Sequence, residues 1–202
     1  MLETLMTWDL ELFQLINSAN HPFWDELMFY ISERWTWIPA YMFCLFWVIK
    51  KESPKGILLF IIAIALLIAF ADQLTSGFMK PFFQRFRPCR AEAGLDFAVH
   101  IVHGHCGGKF GFASSHAANF FALATFLSYY FGRRKISFIV FSCAAIVAFS
   151  RVYLGVHYPG DVLVGAVVGM LGGFMISRLY FFAKDKASNP KIEGSHQHGK
   201  SH

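Results

Sequence analysis

Charged side chains are scarce in this chain: Asp, Glu, Lys and Arg together make up 15% of its 202 residues, against 55% hydrophobic residues and 24 Phe. So thin a charge density points to lipid as the solvent. Nor is there a basic surface of the kind that binds nucleic acid. The formal charge of +5 collects in short loops between apolar runs, which argues against a nucleic-acid partner. A cleavable signal peptide is missing too. The first residues carry Glu3, Asp9 and Glu11 and lack a basic start followed by an unbroken apolar run, so the mature protein is expected to keep its N-terminus. No internal change of composition marks a second domain, and only the C-terminal end turns polar. Its last stretch, Gly194 to His202, holds three His among Ser, Gly, Gln and Lys and is given no functional weight.

What the chain has instead is long apolar runs. A bilayer-spanning helix needs about 20 mainly apolar residues, and five stretches could cross: Trp35 to Ile49, Gly56 to Met79, Ser114 to Phe131, Ile136 to Ser150 and Val162 to Phe182, the first and fourth being short, so that their ends must extend into polar flanks. Phe23 to Glu33 either prolongs the first of these or lies along the surface as a separate helix, so the count is five or six. Leu10, Phe13, Leu15 and Ile16 form an amphipathic pattern that suggests an interfacial helix. The expected fold is all-α, a polytopic transmembrane helix bundle. Residues 1–34 form an amphipathic N-terminal segment, 35–184 the transmembrane domain, and 185–202 a disordered cytoplasmic tail.

Orientation follows from the loops. Lys50, Lys51 and Lys55 share one connection, Arg133, Arg134 and Lys135 another, and Lys184, Lys186 and Lys191 the tail; by the positive-inside rule these face the cytoplasm. Residues 1–34 are acidic but for Arg34 and suit the opposite side. With a rise of about 1.5 Å per residue from the cytoplasmic helix ends, Asp72, Arg151 and Asp161 each lie about 22–26 Å across the bilayer. Ser114, His116, Lys80 and Arg87 sit at the same outer level. Ionisable groups gathered at that depth read as a functional layer.

Three segments supply that layer: Lys80, six residues, then Arg87-Pro88; Ala113-Ser114-Ser115-His116; and Ser150-Arg151, five residues, then His157, three residues, then Asp161. They place three cations, two imidazoles, a carboxylate and hydroxyls at one interface. Lys and Arg neutralise and clamp phosphate oxygens, Arg through a planar fork of donors. Ser114 and Ser115 stand where a helix starts, and the free N–H groups there favour an anion. Phosphoryl transfer also needs a nucleophile and a leaving-group acid on opposite sides of phosphorus. Two His on different helices suit those roles. Asp161, folded back by the Pro159-Gly160 turn, is placed to fix the tautomer of His157.

The three segments resemble the signature of the phosphatidic acid phosphatase type 2 superfamily, which in its usual form is K-x6-R-P, P-S-G-H and S-R-x5-H-x3-D. The first and third match at every defined position, and the resemblance runs from Lys80 to Asp161. It implies that His157 forms a phosphohistidine supported by Asp161. His116 would protonate the leaving lipid oxygen and then activate water. Lys80, Arg87, Ser114, Ser150 and Arg151 would hold phosphate, with Ser115 beside them, and neither metal nor cofactor is needed. The middle segment departs from the pattern, with Ala113 for Pro and Ser115 for Gly, which removes a preset helix start and narrows backbone freedom beside the phosphate.

Cys89 and Cys106 both fall in the outer loop between the second and third spans, in an oxidising compartment on this topology, and are expected to pair as a disulfide. Cys44 and Cys143 read as small buried residues. His100, His103, His105 and Cys106 match no common zinc spacing. Gly165, Gly169 and Gly173 make a small-residue stripe that close helix packing explains. The resulting reading is a lipid phosphate phosphatase of the inner membrane, its site facing the periplasm or exterior. Undecaprenyl diphosphate is the first-choice substrate, followed by phosphatidylglycerol phosphate, phosphatidic acid and lipid A 1-phosphate. Its rivals are a vanadate-dependent haloperoxidase and a non-catalytic lipid-binding or transport protein.

Overall fold

The computed structural model describes residues 2–188. Helices dominate them: α1 Leu2–Ser18, α2 Pro22–Ser32, α3 Ile38–Lys51, α4 Pro54–Asp72, α5 Lys80–Phe83, α6 Ser115–Phe131, α7 Arg134–Tyr153 and α8 Pro159–Ser188. Local chemistry sets their ends. Ser53 caps α4, its Oγ accepting from Gly56 N at 3.3 Å, and Pro54 fills a first-turn position that needs no donor. Gly132, at φ 61°, ends α6. α4 does not stop at Asp72: a π-helical stretch, Gln73–Met79, carries it into α5. Pro81 gives the ladder no N–H, and Thr75 Oγ1 donates back to Ala71 O at 2.7 Å, so a wider turn absorbs the mismatch.

Three of these helical stretches are long and apolar enough to cross a membrane: Pro54–Phe83, Arg134–Tyr153 and Pro159–Ala187. α3, with 14 residues, and α6, with 17, fall short of the about 20 that a full span requires. Large apolar side chains stand exposed along the helices, among them Leu58, Ile61, Phe138, Leu163 and Leu171, a surface suited to lipid. The stretch read as Phe23 to Glu33 forms a separate helix, α2 (Pro22–Ser32), because Glu33 is extended (φ −75°, ψ 132°) and parts it from the next turn of the chain. Arg34–Trp37 form a 3₁₀ turn, and α3 begins at Ile38, beside Pro39.

α8 runs through Asp185 to Ser188, beyond the boundary expected at residue 184; the rest of the expected tail, 189–202, lies outside the described residues. The inward face of α1 is Leu10, Phe13 and Ile16, packed with Ala117, Ala148, Val152, Tyr158 and Val162. Leu15 is exposed, because it points about 200° around the helix from Phe13.

The core is built on α8. Phe60 and Leu67 of α4, Ala118, Ala122 and Phe126 of α6, and Ile176 and Tyr180 of α8 form one buried cluster. The glycine stripe makes the α6–α8 contact close: a Cβ built on Gly165, Gly169 or Gly173 would collide with the carbonyl oxygen of Ser114, Ala118 or Ala122 respectively. This brings the start of α8 against the start of α6, where the candidate residues sit. Gly169→Leu is therefore expected to lower the thermal unfolding midpoint in detergent, by overpacking that costs about 1–3 kcal/mol. Gly108→Ala, whose added carbon meets nothing within 4 Å, is expected to leave it unchanged.

Candidate active site

His157 stands in the connection from α7 to α8. Leu154 ends α7, Gly155 turns the chain at φ 75°, and the N–H groups of Val156 and His157 both donate to Arg151 O, each at 3.2 Å. That turn seats the imidazole beside the first turn of α8. Asp161 Oδ2 lies 3.3 Å from His157 Nδ1 and accepts from Tyr158 N at 3.1 Å, the reach-back of a residue in a helix's first turn. His157 and Asp161 are both fully enclosed. With Nδ1 donating to the carboxylate, Nε2 carries the lone pair, and Arg87 Nη1 sits 3.0 Å from it. Burial first, then the charges of Arg87, Arg151, Lys80 and Arg85, pushes the His157 pKa well below the ordinary imidazole value. That favours the neutral ring.

Arg87 is placed by the long segment between α5 and α6. Phe86 and Phe110 pair as an antiparallel bridge, Gly111 N donates to Arg85 O at 2.8 Å, and Cys89 and Cys106 are joined through their Sγ atoms. This double-stranded clip directs Arg85 and Arg87 into the site. Gly111 has to be small: a Cβ there would lie 3.0 Å from Asp161 Oδ2 and 3.5 Å from His157 Nδ1. Arg87 Nη1 also donates to Val156 O at 3.2 Å.

The middle segment reaches the same place through its backbone, Ser114 N donating to Asp161 O at 2.9 Å. Ser114 Oγ, Arg87 Nε and Arg151 Nε are buried with no hydrogen-bond partner among the described residues, so donors remain for an anion. His116, in the first turn of α6, lines an open cleft with Arg151, Ser32, Glu33, Arg34 and His105. Arg151 Nη1 also hydrogen-bonds Ser32 Oγ.

Two expected phosphate ligands point elsewhere. Ser150 Oγ donates into its own helix, to Val147 O at 2.7 Å. Ser115 Oγ accepts from Lys80 Nζ at 2.5 Å and lies within 2.9 Å of the Thr75 and Ser76 hydroxyls. The serine that stands where the signature has glycine thus helps to fix the ammonium. Asp72 acts at one remove, accepting from Ser76 Oγ at 3.2 Å.

Arg85 and Asp9 were not singled out by the motifs, yet both reach the site. Arg85 donates to Asp161 Oδ1 at 2.8 Å and to Asp9 Oδ2 at 2.6 Å. Arg85 lies in the variable gap between Lys80 and Arg87, and Asp9 lies far upstream, so the one available signal was an acidic residue on the buried side of α1. The loop histidines pair with acids of α2, His100 with Asp25 and His103 with Glu26, each at 3.0 Å.

Residues 54–185 match the PAP2 superfamily. The chain is 40% identical over 183 residues to a lipid A 4′-phosphatase of Bacteroides thetaiotaomicron, covering 91% of this chain and 80% of that protein. It is 35% identical over 185 residues to the lipid A 4′-phosphatase of Porphyromonas gingivalis, covering 92% and 78% respectively. The crystal structure of Aquifex aeolicus LpxE superposes with a TM-score of 0.62 at 29% identity, over 84% of this chain and 94% of that one. A superfamily match that takes in α4 through α8, relatives aligned along most of their length and a shared helical frame all agree with the Lys80-to-Asp161 signature: the chain belongs to the PAP2 superfamily and is a membrane phosphatase, a phosphoric ester hydrolase.

Proposed function

We propose that this phosphatase removes a phosphomonoester from the head group of a membrane lipid through a phosphohistidine on His157, with the 4′-phosphate of lipid A as its first candidate substrate. The observation that carries the reading is the enclosed line Asp161–His157–Arg87, with a carboxylate on Nδ1 and a guanidinium at Nε2. In the first step the Nε2 lone pair attacks phosphorus, the bond from phosphorus to the head-group oxygen breaks, and His116 protonates that oxygen. In the second step His116 takes a proton from water, whose oxygen attacks phosphorus. The P–N bond breaks, inorganic phosphate leaves, and His157 is restored. Arg87, Arg151, Lys80 and the amides at the start of α6 offset the charge on the phosphoryl oxygens.

Two lipid A 4′-phosphatases at 40 and 35% identity move that substrate ahead of undecaprenyl diphosphate, the first choice on sequence, and of phosphatidylglycerol phosphate, phosphatidic acid and lipid A 1-phosphate. The cleft beside His116, with Glu33, Arg34 and His105 on its wall, is the side on which the leaving head group would lie.

A five-span arrangement, in which α3 and α6 cross with α4–α5, α7 and α8, puts this site on the outer face of the inner membrane. Its support is the opposite end of the bundle. There Lys184 and Tyr130 meet Glu52 at 2.7 and 2.9 Å beside Lys50 and Lys51, about 35 Å along α8 from Asp161 at its rise per residue. Basic residues at that end fit the cytoplasmic side.

The test is phosphate release in detergent from lipid A phosphorylated at the 4′ or the 1 position, undecaprenyl diphosphate, phosphatidylglycerol phosphate and phosphatidic acid. The 4′-phosphate is expected to give the highest kcat/KM and His157→Ala to abolish release. No release from any substrate contradicts the phosphatase reading, and a His157→Ala enzyme as active as wild type contradicts the nucleophile. A second expectation concerns pH. An imidazole whose pKa is lowered stays neutral as pH falls through about 6.5 and is protonated only below it. The acid limb of kcat/KM that reports His157 should therefore lie below that value, and a midpoint at or above it would be contrary.

A further inference from the structure

Arg85 is shared between two carboxylates from distant parts of the sequence. Its Nη1 donates to Asp161 Oδ1 at 2.8 Å, its Nη2 to Asp9 Oδ2 at 2.6 Å, and its guanidinium lies 4.0 Å over the Tyr158 ring. The second oxygen of Asp9, Oδ1, accepts from Gly160 N at 2.6 Å, one residue before Asp161. Asp9 therefore grips both the arginine that holds Asp161 and the backbone that carries it. It is itself held in place one helical turn from Phe13, which is fully buried and meets Tyr158 edge-on at 5.4 Å. Asp9 belongs to α1, outside the residues 54–185 that match the superfamily.

Charge gives this arrangement a purpose. Arg85 and Asp161 alone sum to zero, so His157 Nδ1 would face a neutralised pair. With Asp9 the trio carries a net charge of −1. As Nε2 bonds to phosphorus, the imidazole ring becomes cationic, and a net negative group at Nδ1 stabilises that ring in a way that a neutral pair does not. Geometry works in the same direction. With Oδ1 of Asp161 occupied by Arg85, Oδ2 is left for His157 Nδ1 and Tyr158 N, and the pinned Gly160 amide fixes the turn that aims it.

We infer that Asp9 is a positioning residue for phosphohistidine formation, acting through Arg85 and the first turn of α8 to keep Asp161 aligned with His157 and the trio net negative. The inference rests on the reading of His157 as nucleophile and extends the machinery to a helix outside the signature.

The test uses the full chain in detergent with the lipid phosphate that wild type hydrolyses best. Asp9→Asn is expected to lower kcat about 10- to 100-fold. KM should stay within about twofold, and the burst of phosphohistidine in quenched flow should slow in parallel with kcat. Asp9→Glu keeps the charge at a displaced position and should give an intermediate kcat. Thermal unfolding of each variant separates this from loss of folded protein.

Wild-type kcat in folded Asp9→Asn overturns the inference, as does a loss carried by KM at unchanged kcat, or an equal loss in Asp9→Asn and Asp9→Glu. If Asp9→Asn does not fold, Asp9→Glu decides alone, and wild-type kcat there overturns the inference. A wild type that releases no phosphate from any lipid, or an active His157→Ala, would instead sink the reading on which the inference rests.

Discussion

Asp161 is a carboxylate with no exposed surface, set in the first turn of a helix that carries no other charge before Arg178. A buried charge left alone costs several kcal/mol even after relaxation, and the surrounding architecture can be read as the set of partners it demands. One oxygen takes a guanidinium from the segment after α5; the other faces an imidazole and a backbone amide. Arg85 requires its own second partner, which recruits α1 through Asp9. The pairing at Phe86 and Phe110, with the bond between Cys89 and Cys106, keeps that segment folded over the site. Gly111 is small because it passes directly against the Asp161–His157 pair.

The helix bundle supplies the precision. Three glycines let the backbone of α8 pack against the carbonyls of α6, so the two helix starts are held at fixed separation, and the amide of Ser114 bonds the carbonyl of Asp161. The π-helical stretch before Lys80 widens the helix where Thr75, Ser76 and Ser115 collect around the ammonium. Rigid apolar packing thus sets the distances within a small polar site. This is the arrangement phosphoryl transfer favours, since its barrier is lowered mainly by positioning and charge neutralisation.

Much of this was legible in the sequence, for identifiable reasons. Lys80, Arg87, His157 and Asp161 could be read because each chemical role needs a particular side chain at a particular spacing, and the glycine stripe because a period of four marks one helix face. Arg85 escaped because it lies in the unspecified gap of the first segment. Asp9 escaped because nothing local reveals a partner about 150 residues away along the chain. The direction of the Ser150 hydroxyl and the embrace of Lys80 by Ser115 depend on rotamers and on a π-helical turn, which no residue pattern announces. α3 and α6, read as spans from composition, are 14 and 17 residues long, α3 starting beside Pro39 and α6 stopping at Gly132. The separate course of α2 turned on the backbone of Glu33.

The central claim is that His157 carries the phosphoryl group. Its most direct measurement is rapid acid-free quenching of the enzyme with a labelled lipid phosphate, followed by peptide mapping. The account predicts an acid-labile, alkali-stable phosphate on His157 that forms and decays at rates compatible with turnover and is missing in His157→Gln. Turnover without any phosphoenzyme, or with the label on another residue, would contradict it.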